Sequence, residues 1–111
     1  MAKRRISEHQ QYAIGSTHIP GLSKFIEEVG EALQIVGKIM GLGRFGKHWD
    51  GKNLRRELED EMADVLAAAN FVIERNGLDR DRIDKRVKKK IERFNRWHFN
   101  VQAGRDPNDN G

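Results

Sequence analysis

Cysteine is absent from the 111-residue chain, and proline occurs only at positions 20 and 107. The lack of cysteine excludes disulfides and thiolate metal sites and fits a reducing compartment, so we expect a cytoplasmic protein. Because no apolar run approaches the roughly 20 residues of a membrane span, we also predict no membrane segment. The basic residues 3–5 are not followed by an apolar stretch, which argues against a secretory signal.

The charge balance is basic, with 21 Lys and Arg against 17 Asp and Glu and a formal net charge of +4. An anionic partner is therefore expected, and nucleotide, nucleic acid and acidic protein all remain open. The length predicts one domain, over residues 1–103, followed by a polar, disordered tail over residues 104–111. Because a short chain buries a modest core, oligomerisation is a natural way to enlarge it.

The apolar residues predict an all-α fold. They recur at intervals of three and four, which is the helical period, whereas the alternation typical of strands is scarce. Three long helices, preceded by a short N-terminal helix, account for most of the chain. Their expected ranges are about 7–13 for the short helix, then about 21–40, about 51–76 and about 79–99.

Capping residues mark the expected ends of these helices. Pro20 suits the start of the first long helix, Asp50 is the predicted N-cap of the second, and Gly77 is its predicted C-terminal stop. The third long helix is expected to start after Asp79, which is its predicted N-cap. Gly30 and Gly37 lie inside the first helix, where glycine is unfavourable. Close packing or the approach of a ligand is the expected reason for both.

Two acidic motifs carry most of the functional information. The first is Glu27-Glu28-Val29-Gly30-Glu31 and the second is Glu61-Met62-Ala63-Asp64. Residues three apart share one helix face, about 60° apart around the axis. Glu28 and Glu61 each border the apolar stripe of their helix, so antiparallel packing would bring the pairs together at the rim of the interface.

The ordinary interpretation of such acids is a solvated helix surface. Two motifs at equivalent positions on adjacent helices favour a site instead, because crowded carboxylates repel one another unless a cation neutralises them. Carboxylate oxygens are hard ligands that suit Mg²⁺ or Mn²⁺. The sequence therefore predicts a metal site built from two facing helices.

This paired motif resembles that of the MazG-type all-α nucleoside triphosphate pyrophosphohydrolases, EExxE followed by ExxD. The resemblance implies a helical bundle completed as a homodimer or homotetramer. It implies hydrolysis of a nucleoside triphosphate between the α- and β-phosphates, with Mg²⁺ or Mn²⁺ and two or more ions per site. The metal ligands it implies are Glu28, Glu31, Glu61 and Asp64, with Glu27 as a further catalytic acid.

The last long helix is rich in cations. Arg86, Lys90 and Arg93 follow the flank of its apolar stripe at helical spacing, and we predict that they bind the polyphosphate. A solvated basic face and a nucleic-acid-binding helix are the alternatives. Because Phe94 and Trp97 fall on the apolar stripe, they are expected in the core rather than as stacking platforms, so nucleic acid is the weaker hypothesis.

Two further residues are assigned to substrate binding. Asn70 matches a polar position in the helix that follows ExxD in the family, although the helical wheel places it away from Glu61 and Asp64. It can serve that site only if another helix or subunit folds over it. Ile14, in the segment 12–18 before the first acidic helix, is expected to wall the base pocket.

The substrate base is less determined than the reaction. The short, single-domain form resembles phage and mobile-element members, including MazZ-type enzymes, which favours a purine deoxynucleotide such as dGTP or dATP. The alternatives are a phosphoribosyl-ATP-type or a pyrimidine (dUTP or dCTP) pyrophosphohydrolase, and a non-enzymatic basic helical module that binds nucleic acid.

The segment from Gly41 to Gly46 matches the GxGxxG pattern, and with Lys47 it nearly matches a P-loop. The dinucleotide fingerprint needs a preceding strand, whereas a helix is predicted here. A P-loop needs Ser or Thr where this chain has His48. We therefore interpret residues 41–51 as a loop between helices and a candidate lid. The alternative is an ordinary surface loop with a buried Trp49.

Overall fold

In a computed structural model, which describes residues 19–110, the chain forms three α-helices and no named strand. They are α1 (Leu22–Leu42), α2 (Leu54–Arg75) and α3 (Arg80–Gln102). The all-α prediction and the three long helices are confirmed. The predicted short helix near residues 7–13 lies outside the described residues. Within them, no helix combines the length and apolar character needed to span a membrane.

The chain divides into two compact units at the boundary between Leu78 and Asp79. In the first unit, α1 and α2 pack against each other as antiparallel neighbours. The side chain of Asn76, just after α2, donates a hydrogen bond of 3.1 Å to the carbonyl oxygen of Pro20, just before α1. The start of the first helix is thereby fixed to the end of the second.

The ends of α1 and α2 follow local capping chemistry. Gly43 ends α1 in the left-handed region (φ 79°), and its N–H donates to the Ile39 carbonyl oxygen over 2.8 Å. The N-cap of α2 is Asn53, whose side chain accepts from the Arg56 N–H, so the prediction of Asp50 is wrong. Asp50 instead accepts from the Lys52 N–H within the loop. Asp50 therefore forms an Asx turn within the loop, and α2 begins only at Leu54.

The connection between α1 and α2 has its own contacts. Lys47 and Asn53 form an isolated antiparallel bridge, and the Arg55 guanidinium lies 4.8 Å from the centre of the Phe45 ring. Trp49 is 88% exposed, so the alternative of a buried Trp49 is wrong. The GxGxxG segment begins inside α1, which ends at Leu42, so a helix precedes it and not the strand that a dinucleotide-binding motif needs.

The faces that α1 and α2 bury are rotated from the predicted apolar stripes. The predicted apolar stripe of the first long helix was Leu22, Phe25, Ile26, Val29, Leu33, Val36 and Met40. The residues that α1 buries are instead Glu28, Ala32 and Ile35, and Leu33 is 63% exposed. In α2 the buried residues are Leu54, at the start of the helix, and the small Ala68. Small side chains allow two helices to approach closely, and this favours the alanine-bearing faces. Glu28 consequently lies on the buried face itself rather than at its border.

Gly21 gives the sharpest steric test of this packing. Its φ is +93°, and an added Cβ would lie 2.6 Å from Cδ1 of Phe71. Gly21→Ala is therefore expected to destabilise the protein by about 1–3 kcal/mol, measured by thermal or urea unfolding. Gly37→Ala is the control: a Cβ there meets no described atom within 4 Å, so the change should stabilise by about 0.5–1 kcal/mol. Equal stability of the two variants would contradict this packing.

The space around the two glycines inside α1 shows whether close packing explains them. A Cβ at Gly30 or Gly37 would meet nothing within 4 Å in the described part of the chain. The close packing expected at these positions is therefore absent there. The other expected reason, the approach of a ligand, stays a prediction.

In the second unit, Asp79 is the N-cap of α3, as predicted, and accepts from the Arg82 N–H at 3.0 Å. Asn100, near the end of the helix, is buried, and its side-chain amide donates to the carbonyl oxygens of Pro107 and Asp109. These bonds fold residues 103–109 back onto the end of α3. The predicted disorder of residues 104–111 stays a prediction.

Candidate metal centre

Three carboxylates from the two acidic motifs meet between α1 and α2. Glu28 and Glu31 come from α1 and Glu61 from α2, and one oxygen of each lies within 4.8 Å of the others. The spacing of three on α1 places its pair on one face, and the antiparallel packing brings Glu61 opposite. We call these three residues the acid cluster.

Burial makes this cluster more than a surface group of acids. Glu28 is only 8% exposed, and its Oε2 has no hydrogen-bond partner. Glu61 Oε2 is likewise buried and without a hydrogen bond. A buried carboxylate oxygen that accepts nothing is costly, since it has lost its water without gaining a donor. Two such oxygens in one cluster fit a site that a cation completes.

The electrostatics of the cluster lead to the same conclusion. The pKa of Glu31 is raised above its ordinary value, chiefly by the negative charge of Glu28 and then by desolvation. The pKa of Glu61 is also raised, first by desolvation and then by the charges of Asp64 and Glu28. Both shifts have the direction expected of crowded, partly desolvated carboxylates, whose charged forms are unfavourable. A divalent cation with a preference for oxygen ligands would relieve this repulsion, so the residues fit Mg²⁺ or Mn²⁺.

The other two acids of the motifs lie at the edge of this arrangement. Asp64 is exposed and is outside the acid cluster, although its charge is the second cause of the raised pKa of Glu61. Glu27 is exposed and lies 3.4 Å from the ammonium of Lys24. The structure thus brings together three of the four predicted ligands. Ligation by Asp64 and a catalytic role for Glu27 stay predictions.

Glu57 is an acid that the paired motif does not include. One turn before Glu61 on α2, it has a buried Oε2 without a hydrogen-bond partner, and its Oε1 lies 3.8 Å from the Lys52 ammonium. Its charge also contributes to the raised pKa of Glu61. The i, i+4 spacing from Glu61 was the signal in the sequence, and it places both carboxylates on one face of α2.

The predicted polyphosphate-binding residues belong to the second unit. Arg86 and Arg93 are exposed on α3, whereas Lys90 is partly buried. Arg86 also lines a surface groove along α3 with four other cations and Ile83, Val87 and Glu92; the cations are Arg82, Lys85, Lys88 and Lys89. Basic side chains are therefore concentrated along one stretch of this helix.

The remaining predicted site residues are not part of the acid cluster. Asn70 is exposed on α2, and Ile14 lies outside the described residues. Phe94, expected in the core, is 52% exposed, with its ring centre 5.5 Å from that of Trp97. The assignment of Asn70 and Ile14 to substrate binding stays a prediction.

Comparisons with protein-family models, with curated proteins and with solved structures found no match. The resemblance to MazG-type enzymes therefore depends on the two acidic motifs. The acid cluster is a separate, structural observation, and it supports a metal site without identifying a reaction.

Proposed function

We propose that this protein is a metal-dependent hydrolase that cleaves a nucleoside triphosphate between the α- and β-phosphates, releasing the monophosphate and pyrophosphate. The observation that carries the proposal is the acid cluster of Glu28, Glu31 and Glu61, whose oxygens lie within 4.8 Å of one another between two helices. Its orphaned buried oxygens and raised pKa values support occupancy by divalent cations.

In this proposal the acid cluster, joined by Asp64, holds two or more Mg²⁺ or Mn²⁺ ions. Such ions activate a water molecule and polarise phosphate oxygens. The chain's own part is to fix the carboxylates on two packed helices, so that little rearrangement is needed on binding. Binding of the polyphosphate by Arg86, Lys90 and Arg93, which belong to the second unit, stays a prediction from the sequence.

Homo-oligomerisation is part of the same proposal. Large apolar side chains remain exposed on the first unit, and a second copy of the chain would cover them as a dimer or tetramer. The most exposed of them on α1 and α2 are Ile26, Leu33, Met40 and Leu66. Exposed apolar patches of this kind are common at protein–protein interfaces. The base preference proposed from the resemblance is purine, as dGTP or dATP.

The proposal is tested by incubating the protein and Mn²⁺ with each ribo- and deoxynucleoside triphosphate, and with phosphoribosyl-ATP, and separating the products. We expect monophosphate and pyrophosphate in equal amounts, and none when a chelator removes the metal. Turnover of dUTP or dCTP alone would indicate a pyrimidine pyrophosphohydrolase, and turnover of phosphoribosyl-ATP alone would indicate an enzyme of the phosphoribosyl-ATP type. No turnover of any of them would contradict the enzyme. Steeply salt-sensitive binding of DNA or RNA without hydrolysis would favour the nucleic-acid-binding module.

A further inference from the structure

Lys24 brings a positive charge to the acid cluster from within the chain. Its ammonium lies 3.2 Å from Oε1 of Glu28 and 3.4 Å from Oε1 of Glu27. Glu28 is the most buried acid of the cluster, and its second oxygen has no hydrogen-bond partner. One ammonium is thus shared between two carboxylates and compensates the cluster only in part.

A divalent cation at the unpartnered Oε2 of Glu28 would share this carboxylate with the ammonium on Oε1. Two cations held within a few ångströms of each other repel strongly. Lys24 can leave, because its side chain is 41% exposed and its ammonium sits on a flexible four-carbon stem. Glu28 cannot follow it into solvent without disturbing the packing of α1 against α2.

We propose that Lys24 is an internal counter-ion of the acid cluster, which a divalent cation displaces from Glu28. Lys24 then sets the metal affinity of the free protein: it stabilises the metal-free cluster and so weakens binding of the ion. The inference rests on the proposed metal site, and it goes beyond that proposal because the paired acidic motif assigns no role to this lysine.

The test is titration of metal-free protein with Mn²⁺ alone, followed by calorimetry or by the electron paramagnetic resonance signal of free Mn²⁺. Lys24→Gln is expected to lower the Kd for Mn²⁺ by about three- to tenfold, the order of effect of one partly screened charge at this distance. Lys24→Arg keeps the charge and should stay close to the wild type. The increase in Mn²⁺ affinity caused by Lys24→Gln should become smaller as the salt concentration rises.

The matched control is Lys38→Gln, which makes the same change of net charge on the same helix. Lys38 acts on Asp50 in the loop rather than on the acid cluster. Its removal should leave the Kd for Mn²⁺ nearly unchanged. Equal affinity of Lys24→Gln and the wild type, or an equal gain in Lys38→Gln, would overturn the counter-ion role while leaving the metal site intact. Failure of all variants to bind Mn²⁺ would overturn the metal site itself.

Discussion

Glu61→Gln is expected to reduce pyrophosphate release by at least about a hundredfold, because even partners outside the ligand shell of a metal cost 10- to 100-fold when removed. Glutamine keeps the size of the side chain and removes the charge. In the absence of metal, the same change should raise the melting temperature, since it removes one of the three mutually repelling acids between α1 and α2. Loss of activity with a gain in stability distinguishes a functional acid from a structural one.

The control for this variant is Glu59→Gln, on the same helix. Glu59 is exposed and lies outside the acid cluster, so its change should leave both turnover and melting temperature nearly unaltered. Activity and melting temperature are measured for wild type and both variants in the same buffers, with and without Mn²⁺. Retained turnover in Glu61→Gln, or a fall in its metal-free melting temperature, would contradict the role given to this residue.

Mn²⁺ should stabilise the wild-type protein strongly at pH 7. An ion that binds only the folded state at a hundred times its Kd stabilises by about 2.7 kcal/mol, which is roughly 10 °C or more in a domain of this size. Thermal melts at increasing Mn²⁺ give the shift directly. The shift should be absent in Glu61→Gln, and Ca²⁺ or Mg²⁺ at equal concentration gives the preference among ions. An equal shift in wild type and Glu61→Gln would show that the ion acts elsewhere.

The stability of the metal-free protein and its stabilisation by Mn²⁺ depend on pH in opposite directions. The pKa values of Glu31 and Glu61 are raised above the ordinary 4.5 in the folded protein. Their contribution to metal-free stability is therefore fully present below about pH 4.5 and is lost as the pH rises through the folded pKa values. Stabilisation by Mn²⁺ has the opposite pH dependence, because the carboxylates must be deprotonated to bind the ion. The Mn²⁺ shift should accordingly vanish near pH 4.5 and grow towards pH 7.

The helical fold was predictable because its signals are local. Apolar spacing and the Asp79 cap are read within a few residues, and both are found in the structure. The start of α2 was misplaced because Asp50 and Asn53 are equally good caps by residue type. Which of the two caps α2 depends on the conformation of the loop, where the Asp50 side chain accepts a hydrogen bond from the Lys52 N–H.

The candidate site was predictable only in outline. Helical spacing correctly placed Glu28 with Glu31, and the paired pattern brought in Glu61. The depth of Glu28 was not predictable, because it depends on which face of α1 the packing buries, and that face is the one that also carries Ala32 and Ile35. Asp64 is exposed because it lies about 60° beyond Glu61 around the helix, on the side away from the buried face.

Anomalous diffraction from crystals grown with Mn²⁺ and a non-hydrolysable nucleoside triphosphate would show whether the acid cluster between α1 and α2 is a metal centre. We expect an anomalous peak about 2.1 Å from oxygens of Glu28, Glu31 and Glu61, with the phosphates on its open side. Absence of a peak at these carboxylates, in crystals whose nucleotide is visible or whose Mn²⁺ is bound elsewhere, would contradict the metal centre.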